Sequence, residues 1–271
     1  MPQSRTQILD RAEVSVPDSA GDTKQSERAY VALRDMIVRM ELRPGADLSE
    51  RVLSDQLGFG RTPVREAILR LVSDRLVEIS AGRGMSVAPI NFEEVRDIYE
   101  VRLNEDRLAA RLFLANADDH SIGMVCRCFD DAPGFIKVGN FAAVLGLDFH
   151  FHRLFFVGVR NQFLVAQHDF LRAHYHRLAW LAASRRPQMR TADGMKQLVR
   201  SHDPIIEAIK QKSFSKLDVA ISEHVIGSFG NVVSILSQSR MDLVSELKAV
   251  DLFDARNLVA LGDRSKGRSN R

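Results

Sequence analysis

Four residues that lie far apart in the chain have side chains suited to binding a divalent metal. Asp148 and His152 are four positions apart, so they share one face of a predicted helix that is otherwise apolar. His202 and His224 each fall on an apolar face of a later predicted helix. Helix bundles build metal sites from inward-facing side chains, and one carboxylate with three imidazoles suits Zn, Ni, Co, Mn or Fe(II). We therefore predict a divalent transition-metal site.

Two other interpretations of these four residues stay open. Each histidine could be a hydrogen-bonded core side chain, with any small ligand bound without metal. Alternatively, a metal with an open coordination position could activate water, as in a metal-dependent hydrolase or lyase with an accessory DNA-binding module. The chain contains no His-Glu-x-x-His motif and no clear general base beside the four residues. We therefore expect a binding protein rather than an enzyme.

Arg102 is the candidate for binding the acid group of a small ligand. It lies one helical turn from Asp106 and faces the predicted bundle together with Ile98. Arginine binds a carboxylate through two parallel hydrogen bonds, which suits a carboxylate ligand. The alternative is a salt bridge with no role in ligand binding.

The helices that carry these residues belong to the second of two predicted domains, residues 91–238. Asn91 is the candidate N-cap of its first helix, and short breaks divide the rest into about six helices of an antiparallel bundle. Pro204 removes one helical N–H just after His202, so it predicts a kink or a helix that starts at Asp203. The predicted fold class is mainly α, with this all-α bundle following a smaller N-terminal domain.

The smaller domain, residues 26–90, has the pattern of a winged helix-turn-helix. A helix begins near Ser26, and residues 48–71 contain two more helices on either side of Gly58, with Thr62 as the candidate N-cap of the second. Residues 76–80 and 85–89 alternate like two strands joined by a glycine-rich turn, which predicts the wing. A helix-turn-helix places its second helix in the major groove of DNA.

The candidate DNA contacts lie at the start of the second helix, on the helix before it and at the wing tip. Arg61 and Arg65 are four residues apart, on one helical face, where arginine can read guanine or bind phosphate. The first turn of a helix also binds phosphate through its N–H groups. The predicted DNA-binding set is Arg51, Arg61, Thr62, Arg65, Arg83 and Gly84.

The composition is that of an ordinary globular protein. The chain has 271 residues, 45% hydrophobic and 27% charged, with a net charge of +3 at pH 7, so DNA binding must depend on where charge is placed. We find no signal peptide and no apolar run that approaches a membrane span, and Cys126 and Cys128 predict free thiols, so we expect a cytoplasmic protein. Residues 1–25 predict a disordered arm, and 239–271 a partly disordered C-terminal extension.

The N-terminal domain resembles the GntR family of bacterial repressors. Residues 50–58 (ERVLSDQLG), 61–71 (RTPVREAILRL) and 82–89 (GRGMSVAP) carry the resemblance, in order and across the whole domain. It implies a homodimeric transcriptional regulator that binds a palindromic operator through the six residues named above. Gly60 departs from the pattern, because many members carry Ser or Thr there, and a side-chain phosphate contact at that position is lost.

The second domain resembles the FadR-type, all-helical ligand-binding domain called FCD. The motif Asp148-x-x-Phe-His152, the segment 202–209 and His224 carry the resemblance, and Asp106 stands where Glu is usual. Many members of that group hold a divalent metal with one Asp and three His, and the metal helps to bind a small carboxylate. This chain keeps all four positions. The resemblance therefore implies a regulator whose operator affinity is controlled by an organic acid bound at a metal.

Overall fold

The computed structural model describes residues 21–82, 84–157 and 159–236, with side chains from residue 24 onward. Arg83, residues 1–20 and the predicted C-terminal extension therefore lie outside the described residues. Within these ranges the chain is mainly α-helical with one small sheet, which confirms the predicted fold class.

The N-terminal domain contains three helices and a three-stranded sheet. The helices are α1 (Gly21–Val38), α2 (Glu50–Leu57) and α3 (Arg61–Ser73), and the strands are β1 (Asp47–Leu48), β2 (Val77–Ser80) and β3 (Gly84–Val87). β3 lies in the middle and pairs antiparallel with both neighbours. The sequence predicts the hairpin of β2 and β3, but β1 is too short to give an alternating pattern. α1 also begins earlier than predicted.

A fully buried apolar face holds α3 against α1. Leu33 and Ile37 of α1 belong to the same core cluster as Val64, Ile68 and Leu71 of α3, and each is at most 1% exposed. Burying a side chain of this size contributes about 1.5–3 kcal/mol to stability. The packing leaves the opposite face of α3 exposed.

Two glycines form the turn between α2 and α3. Gly58 ends α2 in the left-handed conformation (φ 70°), and its N–H donates to the carbonyl of Ser54. Gly60 is the N-cap residue of α3, which starts at Arg61. The predicted cap at Thr62 is therefore wrong, because Thr62 is already inside the helix. Since Gly60 has no side chain, the first N–H groups of α3 have no side-chain cap.

The second domain contains eight α-helices and one short 3-10 helix among the described residues, where the sequence predicts about six helices. The α-helices are α4 (Phe92–Asn116), α5 (Asp119–Cys126), α6 (Ala132–Lys137), α7 (Phe141–Leu154), α8 (Gln162–Arg185), α9 (Ala192–Arg200), α10 (Asp203–Lys210) and α11 (Phe214–Leu236). α6 forms within residues 132–140, one of the short breaks that the sequence predicts between helices. Pro133 stands in its first turn, where proline is compatible with a helix.

The long helices α4 and α11 pack against each other in the bundle. Asn91 caps α4 as predicted, since its side chain accepts a hydrogen bond of 2.8 Å from the N–H of Glu94. A hydrogen bond of 2.9 Å joins Tyr99 of α4 to Ser228 of α11. Both helices contribute buried apolar side chains to one large core cluster.

α11 is the one helix in the described ranges that could cross a membrane by length and composition, whereas the sequence interpretation found no such segment. Length and composition alone are weak evidence, since the core helix of a globular protein passes the same test. α11 carries Asp218, Glu223 and His224, and it buries Leu217 and Ile221 in the bundle. These features fit a core helix.

The positive φ of Gly58 in the α2–α3 turn allows a stability test. We expect Gly58→Ala to lower the free energy of unfolding by about 1 kcal/mol, because a side chain is strained at its positive φ. Gly134→Ala is the control, because Gly134 lies inside α6 without a positive φ, and an added Cβ would meet nothing within 4 Å. Urea unfolding followed by circular dichroism measures both. Equal losses would contradict the assignment of strain to Gly58.

Candidate metal and DNA-binding sites

His202 lies at a bend between two helices, and Pro204 explains the bend. α9 ends at Arg200, and α10 begins at Asp203 with Pro204 in its first turn. Because proline lacks an N–H, Pro204 cannot continue the hydrogen-bond ladder of α9. The predicted helix start at Asp203 is confirmed, and the side chain of His202 is fully buried.

The bend brings His202 beside the three other predicted ligands. Asp148 and His152 come from α7, and His224 comes from α11. Nε2 of His202 is 3.1 Å from Oδ1 of Asp148, and Nε2 of His152 is 3.1 Å from Nε2 of His224. One ligand atom from each residue lies within 4.8 Å of the others. We call these four residues the Asp–His cluster.

The spacing of these atoms fits a shared metal ion. Two ligands that each lie about 2.1 Å from one ion are separated by roughly 3.0–3.4 Å, the edge of an octahedron or a tetrahedron. Both 3.1 Å separations have this length. Although Nε2 of His202 lies close to Asp148, it is buried without a hydrogen-bond partner of suitable geometry among the described residues. A metal would satisfy that atom.

The backbone of α9 fixes which nitrogen of His202 faces the cluster. Nδ1 lies 3.1 Å from the carbonyl oxygen of Leu198 and 3.3 Å from that of Val199. A carbonyl only accepts hydrogen bonds, so Nδ1 carries the proton. In the neutral imidazole, Nε2 is then the nitrogen without a proton, and it lies next to Asp148, as a metal ligand requires.

Burial favours the neutral form of two of the histidines. It lowers the pKa of His224 to about 3 and that of His152 well below its usual value, and Arg102 and the other histidines add to both shifts. Burial alone would raise the pKa of Asp148, but His202, His224 and Arg102 together hold it below its usual value. Neutral imidazoles and an ionised carboxylate are the forms that bind metals.

Arg102 lies one helical turn from Asp106, as the sequence indicates, and both residues are buried. Its Nε is 3.4 Å from Oδ2 of Asp106, and its guanidinium lies over the rings of Tyr99 and Tyr175. Burial raises the pKa of Asp106 to about 6, although Arg102 opposes this shift. Arg102, Asp106 and three residues of the Asp–His cluster line a cavity of about 500 Å³.

A second group of buried polar residues lies beside this cavity, and the sequence analysis does not predict it. The hydroxyl of Tyr175 donates to Oε1 of Glu105 at 2.5 Å, and Nδ1 of His168 is 3.3 Å from the same oxygen. Glu105, Asp106 and His168 also have a spacing that could hold a metal. The sequence contains one signal for this group, because His168 and Tyr175 are seven residues apart and share one face of α8.

The predicted DNA contacts of α3 are exposed at its first turns. Arg61, Thr62 and Arg65 all lie on the surface. Nε of Arg65 is 3.9 Å from Oε1 of Glu50, and the arginine side chain is 70% exposed. An exposed pair of this kind contributes little to stability, so Glu50 does not hold Arg65 firmly in place.

The remaining predicted contacts lie on α2 and at the wing. Arg51 is exposed, and its Nη1 is 3.6 Å from Oδ2 of Asp55, so the two residues form another weak surface pair. Gly84 begins β3 with φ +87°, a conformation that favours glycine, and leaves the wing tip without a side chain at this position. Arg83 lies outside the described residues, so its contact stays a prediction.

Two family models match the chain. The model described as "Bacterial regulatory proteins, gntR family" matches residues 25–87, and the FCD domain model matches residues 97–227. The chain belongs to the GntR family. This confirms both resemblances seen in the sequence, and it makes the protein a DNA-binding transcriptional regulator with an FCD domain.

Two relatives of this GntR regulator are similar along most of the chain, and a third is similar along a third of it. The HTH-type transcriptional repressor RspR of Escherichia coli is 24% identical over 223 residues, which cover 82% of this chain and 94% of RspR. The HTH-type transcriptional regulator YdhC of Bacillus subtilis is 24% identical over 205 residues, 74% of this chain and 86% of YdhC. The E. coli repressor GlaR is 31% identical over 90 residues, 33% of this chain and 41% of GlaR.

Solved structures show the same fold. E. coli McbR/YncC superposes with a TM-score of 0.66 at 18% identity, covering 79% of this chain and 98% of McbR/YncC. A GntR protein from Rhodococcus sp. RHA1 gives a TM-score of 0.59 at 21% identity, covering 76% of this chain and 98% of the Rhodococcus chain. At these identities the likeness shows the fold alone.

The Asp–His cluster allows a direct metal test. We expect protein purified without chelator to contain about one divalent ion per chain, and His202→Ala to lose it because it removes a buried ligand. His150→Ala is the control, since His150 is on the same helix as Asp148 but exposed. Elemental analysis by mass spectrometry measures the ion. The predicted metal site is wrong if His202→Ala is folded by circular dichroism and still contains as much metal per chain as the wild type.

Proposed function

We propose that this GntR-family protein is a cytoplasmic repressor whose affinity for operator DNA is controlled by a small organic acid bound at a divalent metal. The Asp–His cluster in the cavity of the FCD domain is the observation that carries this proposal. A bound Zn, Ni, Mn or Fe ion would supply a coordination position for a carboxylate oxygen. Repression is proposed because RspR and GlaR are named repressors.

Arg102 would orient the acid relative to the metal. It lines the same cavity as Asp148, His152 and His224, and its guanidinium is a planar donor that suits a carboxylate. Its contact with Asp106 is long, at 3.4 Å, so donors of Arg102 remain for a ligand. Burial of this arginine strengthens its interaction with an incoming anion, because the surroundings screen charge less than water does.

The DNA-binding domain would place α3 in the major groove. Arg61 and Arg65 lie at its exposed start, where they reach base edges, while Thr62 and the uncapped N–H groups bind phosphate. Arg51 would contact the DNA backbone from α2, and Arg83 and Gly84 would do so from the wing.

A homodimer would present two such domains to a palindromic operator, since operator symmetry mirrors protein symmetry. α4 and α11, which pack together, each expose two apolar side chains seven residues apart. Val101 and Leu108 of α4 are 41% and 43% exposed, and Val219 and Ile226 of α11 are 53% and 43% exposed. Apolar side chains in such positions suit an interface between copies of the chain.

α8 contacts both domains and is the route that we propose for the signal. His174 donates from Nε2 to the carbonyl of Asp74 at 2.9 Å, just after α3, and Arg177 donates to the carbonyl of Ala88, just after β3. Other side chains of α8, including His176, line the cavity. A ligand shifts the DNA-binding domain only if it binds two arrangements of α8 with different affinity.

The recognition helix is tested first. We expect Arg65→Ala to weaken binding to a palindromic site selected from random duplexes by about tenfold to a hundredfold, because a base or phosphate contact is lost. A gel shift measures this. Arg160→Ala is the control, as it removes the same charge from an exposed position of the FCD domain. Unchanged site preference in Arg65→Ala would rule out its proposed role.

The α8 route is tested with an acid chosen by thermal shift. Sugar acids, dicarboxylates and fatty acyl compounds are screened with and without Zn²⁺ or Mn²⁺, and the acid with the largest metal-dependent rise in Tm is used. We expect this acid to change operator Kd in the wild type by about fivefold to a hundredfold. His174→Ala should still bind the acid, but its operator Kd should be nearly the same with and without the acid, because its contact with Asp74 is gone.

The control for this coupling is His120→Ala, which removes an exposed histidine from α5. It should keep the wild-type ratio of operator affinities with and without the acid. If His174→Ala changes that ratio no more than His120→Ala does, the contact with Asp74 does not carry the signal.

A further inference from the structure

The cavity is far larger than a metal with a single small acid group requires. Its volume of about 500 Å³ lies within the range of roughly 300–1,000 Å³ found for sites that bind small organic molecules. In liquid water, one molecule takes up only about 30 Å³. The Asp–His cluster therefore fills one part of the cavity, and the rest is available to the body of a ligand.

The cavity extends along α8 and α11, away from the cluster. On α11 its lining residues continue from His224 to Asn231, seven residues or about 10 Å along the helix axis. On α8 the lining reaches the C-terminal end of the helix, where Arg186 follows the last residue. The lining therefore spans at least about 10 Å along α11, with the metal ligands at one part and Arg186 further along.

Small residues line the stretch between these two positions. Ala179 and Ala182 of α8 and Gly227 of α11 contribute little or no side chain there. A Cβ added at Gly227 would meet nothing within 4 Å, so no packing contact requires a glycine in this helix. A glycine inside a helix costs about 0.5–1 kcal/mol relative to alanine. Its effect here is to leave this stretch of the lining without a side chain.

Arg186 is a cation without an acidic partner in the described part of the chain. Its Nη1 donates to Oδ1 of Asn231 at 2.9 Å, and its Nη2 donates to the hydroxyl of Ser234. Both acceptors are neutral, and they hold the guanidinium at the cavity while leaving its charge unbalanced. A carboxylate is the group that best complements such a fork.

The charges of the lining indicate how many acid groups the ligand carries. The lining contains equal numbers of arginines and acids: Arg102, Arg172, Arg186, Asp106, Asp148 and Glu223. Their formal charges cancel. A divalent ion at the Asp–His cluster would leave two positive charges in excess, and one dianion balances them.

We infer that the effector is an elongated dicarboxylic acid with an apolar spacer. One carboxylate lies at the metal beside Arg102, and the second pairs with Arg186 near Asn231, about 10 Å further along α11. The first contact rests on the proposed function, whereas the second rests on the position and charge of Arg186. The small side chains between them accommodate the spacer.

Calorimetric titration of full-length, Zn²⁺-loaded protein tests this inference with suberate, octanoate and succinate. Suberate is expected to bind at least about tenfold more tightly than octanoate, which lacks the second acid, and than succinate, which is too short to span the cavity. Arg186→Gln should remove the preference for suberate over octanoate without weakening octanoate. Arg185→Gln is the matched control, since Arg185 is exposed and outside the cavity lining.

Equal affinities of the wild type for suberate and octanoate would overturn the second subsite while leaving metal-dependent acid binding, and hence the proposed function, intact. Absence of binding by all three acids to metal-loaded protein would overturn the dicarboxylate inference as a whole, whereas the proposed function is contradicted only if no acid of the thermal-shift screen binds.

A second variant pair tests the path of the spacer. Gly227→Leu places a side chain in the cavity and should weaken the binding of suberate at least about tenfold without changing the metal content. Gly230→Leu is the control, because Gly230 also has nothing within 4 Å of an added Cβ but does not line the cavity. Equal suberate affinities of the two variants would contradict the proposed path.

Discussion

The burial of one carboxylate and three imidazoles inside a helical bundle is the constraint on which the FCD domain depends. Moving such groups out of water costs several kcal/mol unless partners are supplied. The protein supplies some partners, such as the carbonyl of Leu198 for Nδ1 of His202. Nε2 of His202, which faces the cluster, is buried without one in the described part of the chain. Groups left in this state are expected where a ligand completes the site.

The same constraint explains how the domain would act as the sensor that we propose. A metal and an acid that bind only the folded, assembled cluster stabilise that arrangement by mass action. The residues that would bind them come from α4, α7, α11 and the bend before α10, so occupancy bears on the relative positions of several helices. α8 borders the cavity and also contacts the ends of α3 and β3. One helix therefore connects the cavity to the domain that would contact DNA.

Much of the fold and most of the cluster could be predicted because local chemistry specifies them. Asn91 and Pro204 fix helix starts, and the four-residue spacing of Asp148 and His152 places both on one face of α7. Contacts between distant segments leave no such signal. The link between Glu105 and Tyr175 joins residues 70 positions apart, and the position of Arg186 depends on how α8 meets α11. The cap assigned to Thr62 failed because Gly60 takes that position without a side chain.

The central claim is that the Asp–His cluster holds the metal on which effector control depends. Anomalous diffraction from crystals grown with Mn²⁺ or Zn²⁺ tests it most directly. The expected result is one strong peak per chain, within about 2.0–2.3 Å of an atom of each of Asp148, His152, His202 and His224. The absence of a peak there, or a peak instead between Glu105, Asp106 and His168, would contradict the account.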